Sequence, residues 1–300
     1  MRKKTLFLLE SPLQVSNAIA SKEINDESTL LIRLNDFKNN DELILNEING
    51  FESRFIFSAK RNSKVKLMLW VLFFFVFFSW RTHRIYLGDA RSTWMKLVEK
   101  LFLMSEIIYL DDGMATIKIY EDVIKKNSKV TFLTRFPLKP TNNVSIRKIQ
   151  EVDDKQFITR HKEVYFIGAA LSANRLLDTK CYISIIKNEI ESYKSKGYEI
   201  VFFPHRYESL DVIEALSEVC IINSIGTSIE NYVIDSRNVP EVIISFASTA
   251  LFNLSDKLCS TEIISLNFLK HCLLDERVCD FELVYSFFER HCDNIKVRNV

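Results

Sequence analysis

Apolar and polar positions alternate along the chain in a way that predicts strands and helices in turn. Short apolar runs are typical of strands buried on both faces, and the amphipathic stretches between them predict helices. Strands are predicted at 5–9, 29–34, 54–57, 84–88, 107–110, 130–134, 163–167, 198–203, 220–222, 241–246 and 262–266. This alternation favours an α/β fold with parallel sheets covered by helices on both faces.

The alternation stops between residues 136 and 155, where prolines and asparagines indicate a turn-rich connection. A chain of 300 residues has room for two domains of about 150 residues each. We expect Rossmann-like domains at 1–150 and 151–300, with their sheets facing across a cleft that is the natural place for an active site. The last predicted helix, 281–292, belongs to the second domain and has the option of packing back on the first.

Leu67–Trp80 is the most apolar stretch, because Ser79 is the one polar residue in its fourteen positions. A helix that is apolar all round is buried in protein or in lipid, and we favour a fully buried helix. The alternative is a face that dips into a bilayer, with the flanking basic residues against anionic headgroups. These residues are Lys64, Lys66, Arg81, His83 and Arg84. A true membrane span is disfavoured, because about 20 apolar residues are needed to cross.

Composition restricts the function further. The chain is 47% hydrophobic and 26% charged with a net charge of +1, an ordinary globular profile that gives no reason to expect a nucleic-acid partner. Six cysteines contain no C-x-x-C pair, so we expect reduced thiols and no metal site. The first apolar run, 5–9, is too short for a signal peptide. We therefore expect a cytoplasmic location, with docking on the inner face of the cytoplasmic membrane as the alternative.

Two adjacent carboxylates and a glycine follow the strand 107–110, in the sequence IIYLDDG. Ligand crevices in open α/β sheets lie just past the carboxyl ends of strands, so Asp111 and Asp112 are candidates for chemistry. Gly113 permits a sharp turn or a close approach to a ligand. The structural alternative is that the aspartates cap the helix that follows.

Two strand ends of the second domain carry further polar residues. His205 and Arg206 end the strand 198–203, and such side chains can exchange a proton and clamp a phosphate. Ser248 and Thr249 open a helix directly after the strand 241–246, where free N–H groups favour an anion. The alternatives are a structural histidine and a helix cap.

Together these motifs resemble those of the bacterial sialyltransferases with the GT-B fold, close to glycosyltransferase family 52. The shared features are an acidic pair before glycine, a histidine motif and a serine–threonine pair, in the same order. Further similarities are the ESPLQ opening, which contains Ser11 and Gln14, the loop 167–172, and Glu230. The chain departs from the family at Arg206, where many members have proline.

The resemblance implies an inverting, metal-independent transfer of sialic acid from CMP-sialic acid to a sugar hydroxyl, with galactose as the expected acceptor. Asp111 would be the general base, and His205 would assist departure of CMP. The implied donor-binding residues are Gly168, Arg206, Glu230, Ser248 and Thr249, and the implied supporting residues on the acceptor side are Ser11, Gln14, Asp112 and Gly113. The acceptor would belong to a bacterial surface polysaccharide, a lipooligosaccharide or another lipid-linked glycan.

Alternatives remain open within this interpretation. A related transferase would use another donor, such as CMP-Kdo or CDP-glycerol. A protein of a different class would bind a nucleotide sugar at a membrane without turnover. No cofactor is expected for the transfer from CMP-sialic acid.

Overall fold

The computed structural model describes residues 4–48, 51–60, 63–149 and 157–300. The chain divides into two compact units, Met1–Val152 and Asp153–Val300. The boundary predicted between residues 150 and 151 lies outside the described residues.

The first unit is built on a seven-stranded parallel sheet with the order β3-β2-β1-β4-β5-β6-β7. Its strands are β1 (Lys4–Leu9), β2 (Ser28–Leu34), β3 (Arg54–Ser58), β4 (Thr82–Leu87), β5 (Glu106–Leu110), β6 (Val130–Thr134) and β7 (Val144–Lys148). Its helices are α1 (Pro12–Ala20), α2 (Lys38–Glu47), α3 (Lys64–Phe78), α4 (Thr93–Leu101) and α5 (Ala115–Lys125). The strand order reverses between β1 and β4, which makes this pair the topological switch point.

The second unit has a six-stranded parallel sheet with the order β10-β9-β8-β11-β12-β13. Its strands are β8 (Ile158–Ile167), β9 (Glu199–Phe203), β10 (Ile221–Ile222), β11 (Asn238–Ser245), β12 (Glu262–Asn267) and β13 (Ile295–Asn299). Its helices are α6 (Thr179–Lys194), α7 (Leu210–Ser217), α8 (Ile229–Ser236), α9 (Thr249–Ser255) and α10 (Asp275–His291), with a 3₁₀ turn at Leu269–His271. Here the order reverses between β8 and β11. The predicted α/β class with parallel sheets is confirmed.

Alternating residues of β1 show why the first sheet is covered on both sides. Leu6 and Leu8 pack into one hydrophobic cluster, and Phe7 and Leu9 pack into another. Successive strand side chains point to opposite faces, so an unbroken apolar strand needs helices above and below it. The Ser11 hydroxyl then accepts a hydrogen bond from Gln14 N and caps α1.

Four elements differ from the sequence-based predictions. Strand β7 lies within the stretch interpreted as a turn-rich connection, and β13 follows the strand predicted to be the last. Helices α2 and α7 were not predicted. Helix α2 is polar and buries only Asn40 and Ile44 among its described side chains, so its apolar periodicity is weak.

Helix α3 contradicts the prediction of a fully buried helix. Leu67, Val71 and Phe74 are its buried residues, whereas Phe77 is 58% exposed. Among the helices that the structure describes, none is both long enough and apolar enough to cross a membrane.

Candidate functional site

Polar side chains meet at the carboxyl edge of the first sheet, beside the switch point between β1 and β4. Gln14 of α1 connects two of these strand ends, because its Oε1 accepts a hydrogen bond from Glu10 N at 2.8 Å and its Nε2 donates to Asp112 Oδ1 at 2.9 Å. The loop after β4 adds Arg91, which donates through Nη2 to Asp112 Oδ2 at 2.9 Å and through Nε to Asp89 Oδ1 at 3.0 Å. Three strand ends are thus joined through Asp112.

Asp112 has the electrostatic properties of a proton acceptor near neutral pH. Burial, and after it the nearby charge of Asp89, raise the pKa of Asp112 to about 7, against the lowering effect of Gln14 and Arg91. A carboxylate with this pKa is partly ionised at neutral pH and more basic than an ordinary aspartate.

Asp111 has a different environment. Its side chain is 3% exposed, and its Oδ1 accepts hydrogen bonds from Gly113 N and the Thr116 hydroxyl. Its Oδ2 accepts from the Thr134 hydroxyl at 2.9 Å and from Arg135 N at 3.1 Å. Burial raises the pKa of Asp111, although these hydrogen bonds lower it. Asp111 therefore fixes the turn after β5 to the end of β6.

Glycines permit the close packing at this edge. Gly113 has φ +68°, a left-handed conformation that favours glycine. At Gly88 a Cβ atom would lie 2.3 Å from Gln14 Oε1 and 2.9 Å from Leu8 O. The absence of a side chain at Gly88 is what allows Gln14 to lie against the end of β4.

A buried ion pair fixes the strand end to which Gln14 is hydrogen-bonded. Glu10 Oε2 lies 2.9 Å from Arg33 Nη2, and both side chains are at most 4% exposed. The same oxygen accepts hydrogen bonds from the Ser92 hydroxyl and from Trp94 Nε1. Glu10 therefore ties the end of β1 to β2 and to the start of α4.

His205 lies at the carboxyl edge of the second sheet, just past β9. Its Nδ1 accepts a hydrogen bond from Tyr207 N at 3.2 Å, so Nε2 carries the proton in the neutral ring. Burial and the neighbouring Arg206 lower the pKa of His205 to about 4. The sequence-based view that this histidine carries a charge-changing proton near neutral pH is therefore replaced by a neutral ring whose Nε2–H can donate.

Gly168 ends β8 in a crowded turn. A Cβ atom there would lie 2.7 Å from Glu208 Oε2 and 2.9 Å from His205 N. Glu208 Oε2 accepts from the Tyr182 hydroxyl, which itself accepts from Ala169 N. Burial raises the pKa of Glu208 to about 7. The glycine is required by these protein neighbours, whatever it does for a nucleotide.

Ser248 and Thr249 begin α9, which is seven residues long. The Ser248 hydroxyl accepts a hydrogen bond from Ala250 N at 3.3 Å, so Ser248 is the helix cap. Glu230, in the first turn of α8, accepts a hydrogen bond from Asn253 Nδ2 of α9 at 3.0 Å. The structure therefore brings Glu230 to the helix that Ser248 caps.

The predicted residues form two groups, one in each unit. In the first unit Ser11, Gln14, Asp111, Asp112 and Gly113 surround the ends of β1 and β5. In the second unit Gly168, His205, Arg206, Ser248 and Thr249 follow β8, β9 and β11, whereas Glu230 lies in α8, after β10. The sequence analysis did not identify Asp89, Arg91 or Glu208. The only signal for the first two was a charged loop, DARS (89–92), directly after the predicted strand 84–88.

All six cysteines are free thiols. Among the residues that the structure describes, no group of three or more His, Cys, Asp and Glu is arranged to hold a metal ion. The expectation that the reaction needs no metal stays a prediction.

Several solved structures share the architecture over nearly the whole chain. An α/β-galactoside α-2,3-sialyltransferase from Photobacterium phosphoreum is 12% identical, with a TM-score of 0.52 and coverage of 99% of both chains. A putative UDP-N-acetylglucosamine 2-epimerase from Listeria monocytogenes is 8% identical, with a TM-score of 0.60 and coverage of 96% of this chain and 88% of that one. MnaA from S. aureus, solved with UDP, is 10% identical, with a TM-score of 0.56 and coverage of 97% and 88%. The fold is GT-B.

No family model matches the sequence, and comparison with curated proteins gives no match. The similarity therefore establishes the GT-B fold and not an activity. In both units of this GT-B chain, the candidate residues lie at the carboxyl edge of the sheet, where ligands of such sheets bind.

Proposed function

We propose that the chain is a glycosyltransferase that moves sialic acid from CMP-sialic acid to a sugar hydroxyl, with inversion and without a metal. The observation that carries this proposal is Asp112, a carboxylate with a pKa raised to about 7 and held by Gln14 and Arg91 at the switch point of the first sheet. Transfer to a hydroxyl needs a base that is ionised near neutral pH and within hydrogen-bond reach of the acceptor. The GT-B fold supports the assignment to a nucleotide-sugar enzyme.

The proposal moves the role of general base from Asp111 to Asp112. Both oxygens of Asp111 already accept hydrogen bonds from four groups of the protein in a site that is 3% exposed. Asp112 lies at the sheet edge, with a side chain that is 12% exposed. Asp111 acts as a positioning residue in this scheme, and Ser11, Gln14 and Gly113 hold the loop around the base.

Donor binding is assigned to the second unit. The neutral His205 ring donates from Nε2 to the departing phosphate, where negative charge accumulates as CMP leaves. Ser248, Thr249 and Arg206 supply further donors to the phosphate, Glu230 accepts from the ribose hydroxyls, and Gly168 borders the nucleotide. The cytidine nucleotide is chosen on the order of the three motifs, together with the fold that the chain shares with the Photobacterium sialyltransferase.

The test is incubation of the purified protein with CMP-sialic acid and an array of galactosides, followed by mass spectrometry. We expect products heavier by one sialic acid residue, with release of an equal amount of CMP, in the presence and absence of EDTA. Parallel reactions with CMP-Kdo, CDP-glycerol and UDP-N-acetylglucosamine test the alternative donors, the last because two of the structural neighbours are named for it or contain UDP. Transfer from one of these alone would replace the proposed donor, and absence of turnover with all four would favour a binding protein.

A further inference from the structure

Helix α3 has an exposed apolar face opposite its buried one. Val65, Leu69, Leu72 and Val76 are 69%, 60%, 45% and 66% exposed. Their spacing of four, three and four residues places them in one row along the helix. The buried residues of α3 lie on the other side, since 100° per residue sets them roughly 180° away. Packing against the sheet explains the buried row and leaves the exposed row unexplained.

Two exposed aromatic residues lie near the C-terminal end of α3, Phe77 in its last turn and Trp80 two residues beyond it. Phe77 and Trp80 are both 58% exposed, and the Arg81 guanidinium lies 3.9 Å from the centre of the Trp80 ring. Tryptophan and arginine are the side chains that favour the boundary between hydrocarbon and water. We call the row of Val65, Leu69, Leu72 and Val76, together with Phe77 and Trp80, the α3 face.

The charged residues in the sequence around α3 have one sign. Residues 53–88 contain seven Lys and Arg and no Asp or Glu, although the whole chain has a net charge of only +1. Lys64 and Lys66 are exposed at the first turn of α3, and Arg81 is exposed beyond its last turn. Positive charge therefore stands at both ends of an apolar surface. This pattern complements an anionic lipid surface, which offers negative headgroups above an apolar interior.

We propose that the α3 face binds the surface of an anionic lipid bilayer, with the helix lying in the plane of the interface. With 15 residues the helix is about 22 Å long, too short to cross the hydrocarbon core of about 30 Å but long enough to lie on it. The apolar row enters the boundary between headgroups and acyl chains, and Lys64, Lys66 and Arg81 contact lipid phosphates. This surface would bring the protein to lipid-linked molecules, but its binding to lipid is independent of the proposed sugar transfer.

The test is flotation of the purified full chain with vesicles of phosphatidylcholine alone and of phosphatidylcholine with 40 mol% phosphatidylglycerol. We expect binding to the anionic vesicles, weaker binding to the neutral ones, and loss of the difference at about 0.5 M salt because screening removes the headgroup attraction. The absence of binding above background to both kinds of vesicle overturns the proposal.

The double variant Leu69→Gln/Val76→Gln tests the apolar row. We expect its partition onto anionic vesicles to fall about tenfold or more, because interfacial binding scales with the apolar area inserted. The matched control is Leu210→Gln/Leu273→Gln, which changes two leucines of the second unit that are 72% and 58% exposed. The control should bind as the unaltered protein does. Equal binding by both double variants overturns the proposal.

Charge and depth are tested separately. Replacing Lys64, Lys66 and Arg81 with Gln should weaken binding to anionic vesicles by about 100-fold, at about fivefold per charge, and leave the binding to neutral vesicles nearly unchanged. Brominated lipids should quench Trp80 fluorescence, and the quenching should disappear in Trp80→Phe although Trp70 and Trp94 remain. Trp94 is 1% exposed and serves as an internal reference. Quenching that persists in Trp80→Phe contradicts the proposal.

A second copy of the chain is the competing occupant of the α3 face. Analytical ultracentrifugation without lipid distinguishes the two cases. A monomer that binds anionic vesicles supports the proposal. A dimer that Leu69→Gln/Val76→Gln converts to a monomer, with no vesicle binding by the unaltered protein, overturns it in favour of self-association.

Discussion

Asp111 and Asp112 are neighbours in the sequence, but their carboxyl groups have different environments in the structure. Asp111 is enclosed by donors from three segments, which makes its carboxylate part of the turn after β5. Asp112 is bound by the side chains of Gln14 and Arg91, which come from other strand ends at the carboxyl edge of the sheet. The sequence predicts that two carboxylates follow β5, because their position after an apolar strand is local information. Which one is structural depends on Thr134 and Arg135, which lie more than twenty residues away.

Replacing each aspartate separately tests this distinction. We expect Asp112→Asn to fold normally, bind CMP and lose transfer by about 10²–10⁴-fold, the usual cost of a missing general base. Asp111→Asn places an amide N–H₂ against donors such as Arg135 N, and should lower the free energy of unfolding by about 1–3 kcal/mol. Urea unfolding and initial rates of CMP release measure the two effects, with the exposed Asp26→Asn as control. A folded Asp111→Asn that is inactive beside an active Asp112→Asn would return the base role to Asp111.

The pH dependence of transfer should report Asp112. Because the pKa of this carboxyl is raised to about 7, kcat/KM should rise tenfold per pH unit below 7 and level off above it. His205, with a pKa of about 4, stays neutral across this range and adds no inflection. Initial rates between pH 5 and pH 9 provide the measurement. A rate that is already constant from pH 5 upwards would mean that the base is an ordinary carboxylate.

Glu208 should make the stability of the fold decrease as pH rises, opposite to the pH dependence of transfer. Burial raises its pKa from 4.5 in the unfolded chain to about 7 in the fold, so the folded state holds the proton more tightly. The stabilisation is complete below the unfolded value and is lost as pH rises through 7. In Glu208→Gln the decrease in unfolding free energy between pH 5 and pH 8 should be smaller than in the unaltered protein by about 1–3 kcal/mol. Urea titrations at the two pH values measure the unfolding free energy of each protein. An identical decrease in the variant and in the unaltered protein would show that Glu208 stays ionised.

At the scale of elements, the contact between α1 and β4 depends on Gly88. Gly88→Ala would put a Cβ atom 2.3 Å from Gln14 Oε1 and 2.9 Å from Leu8 O, and backbone cannot yield as a side chain does. We expect a loss of about 1–3 kcal/mol in unfolding free energy and a loss of transfer, because Gln14 no longer reaches Asp112. Gly226→Ala is the matched control, since a Cβ atom there meets nothing within 4 Å. Unaltered transfer by Gly88→Ala would show that Gln14 is not needed to hold the base.

The elements that the sequence predicts well are those whose pattern is strong within a few residues. Strands β1 and β5 are short continuous apolar runs, and Ser11 with Pro12 is a local start signal for α1. Strand β7 was missed because only Val144 and Ile146 of its five residues are apolar. It is a strand because it pairs with β6, a contact that local patterning does not reveal. The sequence could not predict which side of α3 is buried, because apolar residues occupy both sides of the helix.

At the scale of the whole molecule, the two units repeat one plan. In each sheet the strand order reverses after the third strand counted from one edge. The candidate residues of each unit lie at the carboxyl edge of its sheet, beside this reversal. Alternation of strands and helices was sufficient to predict two parallel-sheet domains. Strand order was not predicted, because it depends on which buried strands pair. The proposal places the general base in the first unit and donor binding in the second, and this assignment can be tested on the intact chain.

Hydrogen exchange with CMP alone should separate the units. A ligand that binds the folded state protects the amides whose opening would release it. We expect CMP to slow exchange after β8, β9 and β11, including the amides of Gly168, His205 and Thr249, and to leave the Asp112 loop unchanged. Mass spectrometry of peptides from the full chain measures both units in one experiment. Protection confined to the first unit would contradict the assignment of donor binding to the second.

Replacing Ser248 and Thr249 tests the assignment of donor binding to the second unit in a separate experiment. Ser248→Ala/Thr249→Ala should weaken CMP binding, because each hydrogen bond to a charged phosphate contributes about 1.5–3 kcal/mol. Ser228→Ala is the matched control: Ser228 caps α8 through Asn231 N, as Ser248 caps α9, and its loss should cost only the cap, about 1 kcal/mol of stability. Calorimetric titration with CMP compares the two variants. Equal affinities would reduce Ser248 to the helix cap that it forms in the free protein, and the phosphate would then have to bind elsewhere.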